Sequence, residues 1–261
     1  MTRSSESSSR TVVIIQARMR SERLPGKVLL PILGRPMLGR QVERLRRCRQ
    51  VDEIVVAVPD SASDDVLADF VLHEGLRCYR GSETDVLGRY RGAALESQAE
   101  TVVRVTADCP LIDPAVVDGC VRAFHEGKGS VAYLSNTQRR TFPRGMDTEV
   151  FTRDALETAH LEAERDDERE HVTPFIYRRP ERFRLGDYWA DRDDSRYRLT
   201  VDTPADLRLV RAVFEELLPT RPDFELESVV QLLVARPDLV ALNAHVEQRP
   251  TTHPSSARRT P

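Results

Sequence analysis

Residues 11–31 read TVVIIQARMRSERLPGKVLLP, and the reversal of character inside this stretch sets the fold class. Val12, Val13, Ile14 and Ile15 form a short β-branched apolar run, the pattern of a strand covered on both faces. From Gln16 the chain turns basic and turn-rich, with Arg18, Arg20, Arg23 and Lys27 beside Ser21, Pro25 and Gly26. A core strand thus delivers the chain into a cationic loop. Guanidinium groups take phosphate oxygens two at a time, lysine adds a point charge, and glycine lets backbone N–H groups approach an anion. Four cations within ten residues repel one another unless an anion sits among them, which favours a polyphosphate site over a solvated basic loop. The loop is not a Walker motif, because Ser21 stands at its first glycine position and Val28 replaces the Ser/Thr after Lys27.

Outward from this stretch, strand and helix patterns alternate. Helices are expected over 37–48, over 63–74 with Ser63 as cap and Val66, Leu67, Phe70 and Val71 as one stripe, and over 84–98 with Val86, Leu87, Tyr90, Ala94 and Leu95 inward. Strands are expected over 53–58, 76–80 and 101–105, and Gly75 should close the helix before it. Asp113-Pro114 opens a further helix, and Thr203-Pro204 with Asp206 has the grammar of a capping box. The second half is less regular, with strands expected over 131–135, 147–151, 182–189 and 196–201 and helices over 154–163 and 169–177. The run 162–170 reads as a solvated face, and 127–129 as a turn. This alternation predicts an α/β protein, a three-layer sandwich around a mainly parallel mixed sheet.

With 261 residues, 40% of them hydrophobic, the chain can bury one large core. We expect a single domain over 11–245, with disordered tails at 1–10 and 246–261, where apolar residues are sparse. A net charge of −3 gives no overall pull toward nucleic acid or membrane. Cys48, Cys78, Cys109 and Cys120 are too widely spaced for a zinc knuckle, and they fit a reducing cytoplasm. No run approaches the ~18 apolar residues of a membrane span.

Two aspartates share the loop's placement. Asp108, in RVTADCP, and Asp202, in RLTVDTP, each follow an expected strand and precede a proline that helps open a helix. Ligands of open α/β sheets bind at such carboxyl ends. Two carboxylates facing a cationic loop can hold a Mg²⁺ that bridges to phosphate, although each alone would more often be a helix cap.

QARMRSERLPGK, GSETDVLGRY, RVTADCPLIDP, FPRGMDTEVF, REHVTPFIY and RLTVDTPADL together resemble the cytidylyltransferase family that includes the spore-coat polysaccharide protein SpsF and, more distantly, the CMP-Kdo and CMP-sialic acid synthetases. The resemblance implies a nucleotidyltransferase fold of the glycosyltransferase-A type that uses CTP and Mg²⁺ to activate a small-molecule acceptor, a sugar or sugar-like acid. It implies that Arg18, Ser21 and Lys27 hold the triphosphate and that Asp108 and Asp202 hold the metal. Arg80, Ser82 and Asp85 fall where related synthetases approach base and ribose, though Val86 replaces the arginine that Kdo enzymes carry there. Arg144, Asp147 and Glu149 lie in the segment used around the acceptor, the two acids on one face of an expected strand; a polar strand edge is the equal alternative. His171 reaches the acceptor or a dimer interface, or caps a helix. The resemblance also implies a homodimer, with Phe142, Phe151, Phe175 and Tyr177 as surplus apolar area.

Three other readings were weighed. Asp191-Arg192-Asp193 supplies the D-x-D of a nucleotide-sugar glycosyltransferase, but ahead of the expected strand instead of after it. Glu157/His160 and Glu168/His171 have di-iron spacing but not the four-helix bundle such a site needs. A non-catalytic nucleotide-binding relative would have less need of both Asp108 and Asp202.

Overall fold

The computed structural model describes residues 9–127 and 129–248. The chain runs through β1 (Thr11–Gln16), β2 (Pro31–Ile32), β3 (Arg35–Pro36), α1 (Met37–Leu45), β4 (Glu53–Pro59), α2 (Asp65–His73), β5 (Arg77–Gly81), α3 (Val86–Glu96), β6 (Thr101–Thr106) and α4 (Pro114–Glu126). It continues through β7 (Tyr133–Ser135), β8 (Glu149–Thr152), α5 (Arg153–Glu162), α6 (Asp166–His171), α7 (Pro174–Tyr177), β9 (Leu185–Asp187), α8 (Pro204–Leu217), α9 (Leu226–Ala235) and α10 (Pro237–Ala241). Seven strands form one sheet in the order β5-β4-β1-β6-β8-β7-β9. The first four are mutually parallel, and β8 runs antiparallel to both β6 and β7.

β1 shows why the sandwich has three layers. Alternate side chains of a strand point to opposite faces. Val13 and Ile15 accordingly join the core under α1, α4 and α8, whereas Val12 and Ile14 join the one under α3 and α5. From β1 the chain builds outward to β4 and β5, then returns to lay β6 on the other side of β1. That reversal opens a crevice at the carboxyl ends of β1 and β6.

The capping grammar holds. The Asp113 carboxylate accepts from Ala115 and Val116 N–H, Thr203 and Asp206 form the reciprocal box, and Gly75 takes a φ of 71° beyond α2. Gly127 and Gly129 lie in the expected turn; Lys128 falls outside the described residues.

Other expectations are corrected. Ser63 does not cap α2; its hydroxyl and that of Ser61 donate to buried Asp64. Val66 and Leu95 face solvent, each one helical position off the buried stripe. The expected helix 169–177 is two, because Val172, at φ 72° and ψ −56°, is the centre of a γ-turn closed by the Thr173 N–H on the His171 carbonyl at 2.9 Å, which ends α6 before Pro174 starts α7. The charged run 162–170 is not wholly solvated, since Glu168 is buried on Arg179 at 2.8 Å. Phe142, Phe151 and Phe175 are buried within the subunit and Tyr177 packs on the same core, so they supply no surplus area for a dimer. Most of the expected tails lies outside the described residues, but Arg10 pairs with Glu53 at 2.8 Å and Val246 N–H donates to Asn243. Among the described residues no helix is long and apolar enough to cross a membrane.

Asp147 and Glu149 do not share a strand face. β8 begins at Glu149, while Asp147 precedes it and pairs with Arg140 at 2.6 Å. Glu149 is buried, accepting from Arg104, from the Tyr133 hydroxyl at 2.6 Å and from the Thr173 hydroxyl at 2.6 Å. It ties β6, β7 and the start of α7 together. Removing one member of a buried ion pair strands the other, so Glu149→Ala should destabilise the fold by about 3–5 kcal/mol in urea unfolding. A loss below about 1 kcal/mol, the range of an exposed pair, would show that Arg104 is solvated instead.

Candidate active site

A cleft of about 280 Å³ opens at the crevice between β1 and β6. The basic loop forms one wall. Its shape is fixed by backbone bonds, Gly26 N–H to the Met19 carbonyl at 2.9 Å and Lys27 N–H to Leu24 at 3.2 Å, with Gly26 at a φ of 69° that favours glycine. Fully buried Asp64, at the start of α2, accepts the Met19 N–H at 2.7 Å and so anchors the loop from behind. Arg18, Arg20, Ser21 and Arg23 face the cleft.

Asp108 lies two residues beyond β6, where the Thr106 hydroxyl donates to its Oδ1 at 2.5 Å. Asp202 reaches the cleft by a different route from the one expected. Residues 196–201 form no sheet strand: Arg196 lies in a turn, Arg198 makes a single isolated bridge to Arg144, and the partners of the segment are loops. Leu199 N–H donates to the Arg144 carbonyl at 2.7 Å and Val201 N–H to the Asp108 carbonyl at 2.8 Å. Gly145 permits this approach, since a Cβ there would stand 2.7 Å from the Leu199 carbonyl carbon. The aspartate-bearing loops are therefore bonded to each other directly.

Lys27 completes the arrangement. Its Nζ lies 3.2 Å from Asp108 Oδ2 and 3.0 Å from Asp202 Oδ1, and donates to the Val201 carbonyl at 2.7 Å. Burial pulls the Lys27 pKa down, but Asp108 and Asp202 more than reverse this, and the net shift is upward. Burial pushes the Asp202 carboxyl up, while Lys27, Arg198 and Arg23 outweigh it and hold the pKa below its ordinary value. The Asp202 Oδ2 meets Arg198 at 2.7 Å and Arg23 at 2.9 Å. The Lys27 ammonium and the Asp202 carboxylate are thus charged at neutral pH, and Asp108 and Asp202 present their oxygens to one shared cation.

Of the residues singled out in the sequence, the cleft brings together Arg18, Arg20, Ser21, Arg23, Lys27, Asp108 and Asp202. The others lie outside its lining. Arg80 pairs with Asp65 at 2.6 Å, and the Ser82 hydroxyl accepts the Asp85 N–H at 3.1 Å. Asp85 caps α3 through Gly88 N–H at 2.9 Å and pairs with Arg169 at 2.7 Å. Arg144 lines a different cavity, and His171 is the last residue of α6, which accords with the helix-end alternative. Sequence reasoning missed Glu170, which lines the cleft beside that histidine, and Asp64 and Thr106, which act through the backbone and through Asp108. Only Thr106 left a signal, as the first residue of TAD, directly after the expected strand 101–105.

An α/β sandwich with a cationic loop facing paired carboxylates at its crevice defines a nucleotidyltransferase. Residues 12–237 match the family described as cytidylyltransferase, and the chain belongs to that family. It is 33% identical over 241 residues to the spore coat polysaccharide biosynthesis protein SpsF of Bacillus subtilis, covering 86% of this chain and 94% of that one. A cytidylyltransferase from Leptospira borgpetersenii superposes with a TM-score of 0.84 at 35% identity, covering 88% and 96% of the two chains. A CMP:2-keto-3-deoxy-manno-octonic acid synthetase solved with CTP shares the fold, with a TM-score of 0.60 at 21% identity over 80% of this chain and all of that one.

Proposed function

We propose that this cytidylyltransferase uses CTP to activate a sugar or sugar-like acid as its CMP derivative, releasing pyrophosphate, in the cytoplasm. The convergence of Asp108 and Asp202 on one cation, opposite the basic loop, is the observation that carries this reading. Two carboxylates aimed at a single point suit Mg²⁺, which takes one or two carboxylates and completes its shell with water and substrate phosphate. Asp108 and Asp202 would hold it, and when bound it neutralises phosphate oxygens and favours attack.

The chain's own residues account for the rest. Arg18, Ser21 and Lys27 hold the β- and γ-phosphates, the Ser21 hydroxyl as a neutral donor, so that the positive charge of Arg18 and Lys27 lies where negative charge grows as pyrophosphate departs. An acceptor oxygen attacks the α-phosphorus in line. One P–O bond forms as the bond to the bridging oxygen breaks, and catalysis is mainly positioning and charge neutralisation. The D-x-D alternative gains nothing from the geometry, since the Asp193 carboxylate accepts the Ser195 N–H at 2.9 Å and Arg192 pairs with Asp194 and Glu227 outside the cleft.

The phosphate loop cannot choose a base, because all nucleoside triphosphates share its ligand. Base choice falls instead to backbone carbonyls or a carboxylate such as Asp85, either of which can accept from the exocyclic amine of cytosine. An acceptor built for that amine is left unmatched by uracil at a cost of about 1–3 kcal/mol. CTP should therefore bind at least roughly tenfold more tightly than UTP, with purine triphosphates weaker still, as read by calorimetry in Mg²⁺. Equal affinity for ATP and CTP would overturn the reading.

A further inference from the structure

A second cavity, of about 270 Å³, lies between residues 195–198, the first turns of α8 and the C-terminal helices α9 and α10. It shares no lining residue with the catalytic cleft. Arg144, Arg196 and Arg198 line it, and among the described residues no carboxylate does. Elsewhere arginines of this chain sit on acids, as Arg77 does on Glu53, Arg182 on Glu162 and Arg236 on Asp238. Here Arg198 alone is paired with acids, Asp202 and Asp206. No hydrogen bond or ion pair joins the Arg144 guanidinium to another of the described residues, and the Arg196 side chain donates to the Tyr197 hydroxyl, at 2.8 Å, lies over the Tyr197 ring and feels the Asp193 carboxylate. Burial together with Arg140 and Arg198, against a partial offset from Asp147, holds the Arg144 pKa below its ordinary value, as expected of a cation short of counter-charge.

Arg198 is already shared by Asp202 and Asp206, so the donors left open to an anion are those of Arg144 and Arg196, two guanidinium groups that suit phosphate or carboxylate oxygens. Leu209 and Leu233 add an apolar wall that suits a short carbon body. Arg198 also reaches the catalytic cleft, since its Nη2 donates to Asp202 at 2.7 Å and its Nε to Asp206 at 2.9 Å. We propose that this cavity is a second anion-binding site, taking the phosphate or carboxylate of a small molecule and coupled to the catalytic cleft through Arg198. An anion there competes with Asp202 for the guanidinium and leaves that carboxylate freer to hold a cation. The coupling is therefore positive, and it must be reciprocal.

Inorganic phosphate is the probe, titrated calorimetrically into protein whose catalytic cleft is already filled by Mg²⁺ and a non-hydrolysable CTP analogue. One phosphate should bind per chain, and Arg144→Ala and Arg196→Ala should each weaken it by about tenfold or more. Arg144 bonds Tyr197 and Leu199 only through its backbone, so Arg144→Ala should leave the melting temperature of the ligand-free protein unchanged. Phosphate should also tighten binding of the CTP analogue in the wild type and not in Arg144→Ala. Absence of phosphate binding with the cleft filled, equal affinity in both variants, or a lowered ligand-free melting temperature in Arg144→Ala would overturn the site; CTP-analogue affinity indifferent to phosphate would overturn the coupling.

Discussion

Asp202→Asn is expected to lower pyrophosphate release by roughly 10²-fold or more, the scale on which removing a positioned electrostatic group acts. The substitution removes the charge on which Lys27, Arg23 and Arg198 all converge, while Asn keeps the side-chain size. The fold should survive, because the local backbone is held by Asp206, which accepts the Asp202 and Thr203 N–H groups at 3.0 and 2.9 Å. Asp108→Asn should behave alike, with circular dichroism unchanged. Near-normal turnover at saturating Mg²⁺ in either variant would remove that residue from the catalytic set.

The second large effect belongs to Lys27. Its side chain is only 12% exposed and fills the space between both aspartates, so Lys27→Ala takes away a phosphate ligand and the link between two loops. Binding of CTP, UTP and ATP should weaken together with their order preserved, and turnover should fall by roughly 10²-fold or more. Without the ammonium, two carboxylates face each other and each disfavours ionisation of the other. Mg²⁺ without nucleotide should therefore raise the melting temperature of Lys27→Ala by several degrees more than that of the wild type, in which the position is held by Nζ. Equal shifts in both proteins would show that the carboxylates hold the ion at some other point.

What could be read from the sequence follows from how local each signal is. The apolar run at β1, the Asp113 and Thr203 caps and the basic loop are decided by neighbours in the chain, and all appear in the structure. Asp202 was legible because it stands two residues before the proline that opens α8, and Asp108 because it stands two residues beyond β6; Pro110, expected to open a helix there, lies in a turn, and α4 begins only at Pro114. The segment carrying Asp202 was misread as a strand because extended backbone looks alike in sequence whether its partners are strands or loops. Glu149 was placed with the acceptor because a charged residue on a strand normally means a wet face. Its burial depends on Arg104, Tyr133 and Thr173, a meeting that no spacing rule foretells. Asp64 was hidden for the same reason, since its ligand is the N–H of Met19, 45 residues away.

The bonds that close the cleft also bear on when it comes into being. Lys27 and Asp202 are 175 residues apart, and the Asp202 loop hangs on the Asp108 carbonyl instead of on the sheet. Closing so long a loop is entropically costly until the contacts beyond it form. A ribosome that has released the chain only through β9 has made the basic loop and Asp108 but not Asp202. The paired carboxylates are thus assembled only at the last stage of maturation, when the residues leading into α8 dock on the Asp108 loop.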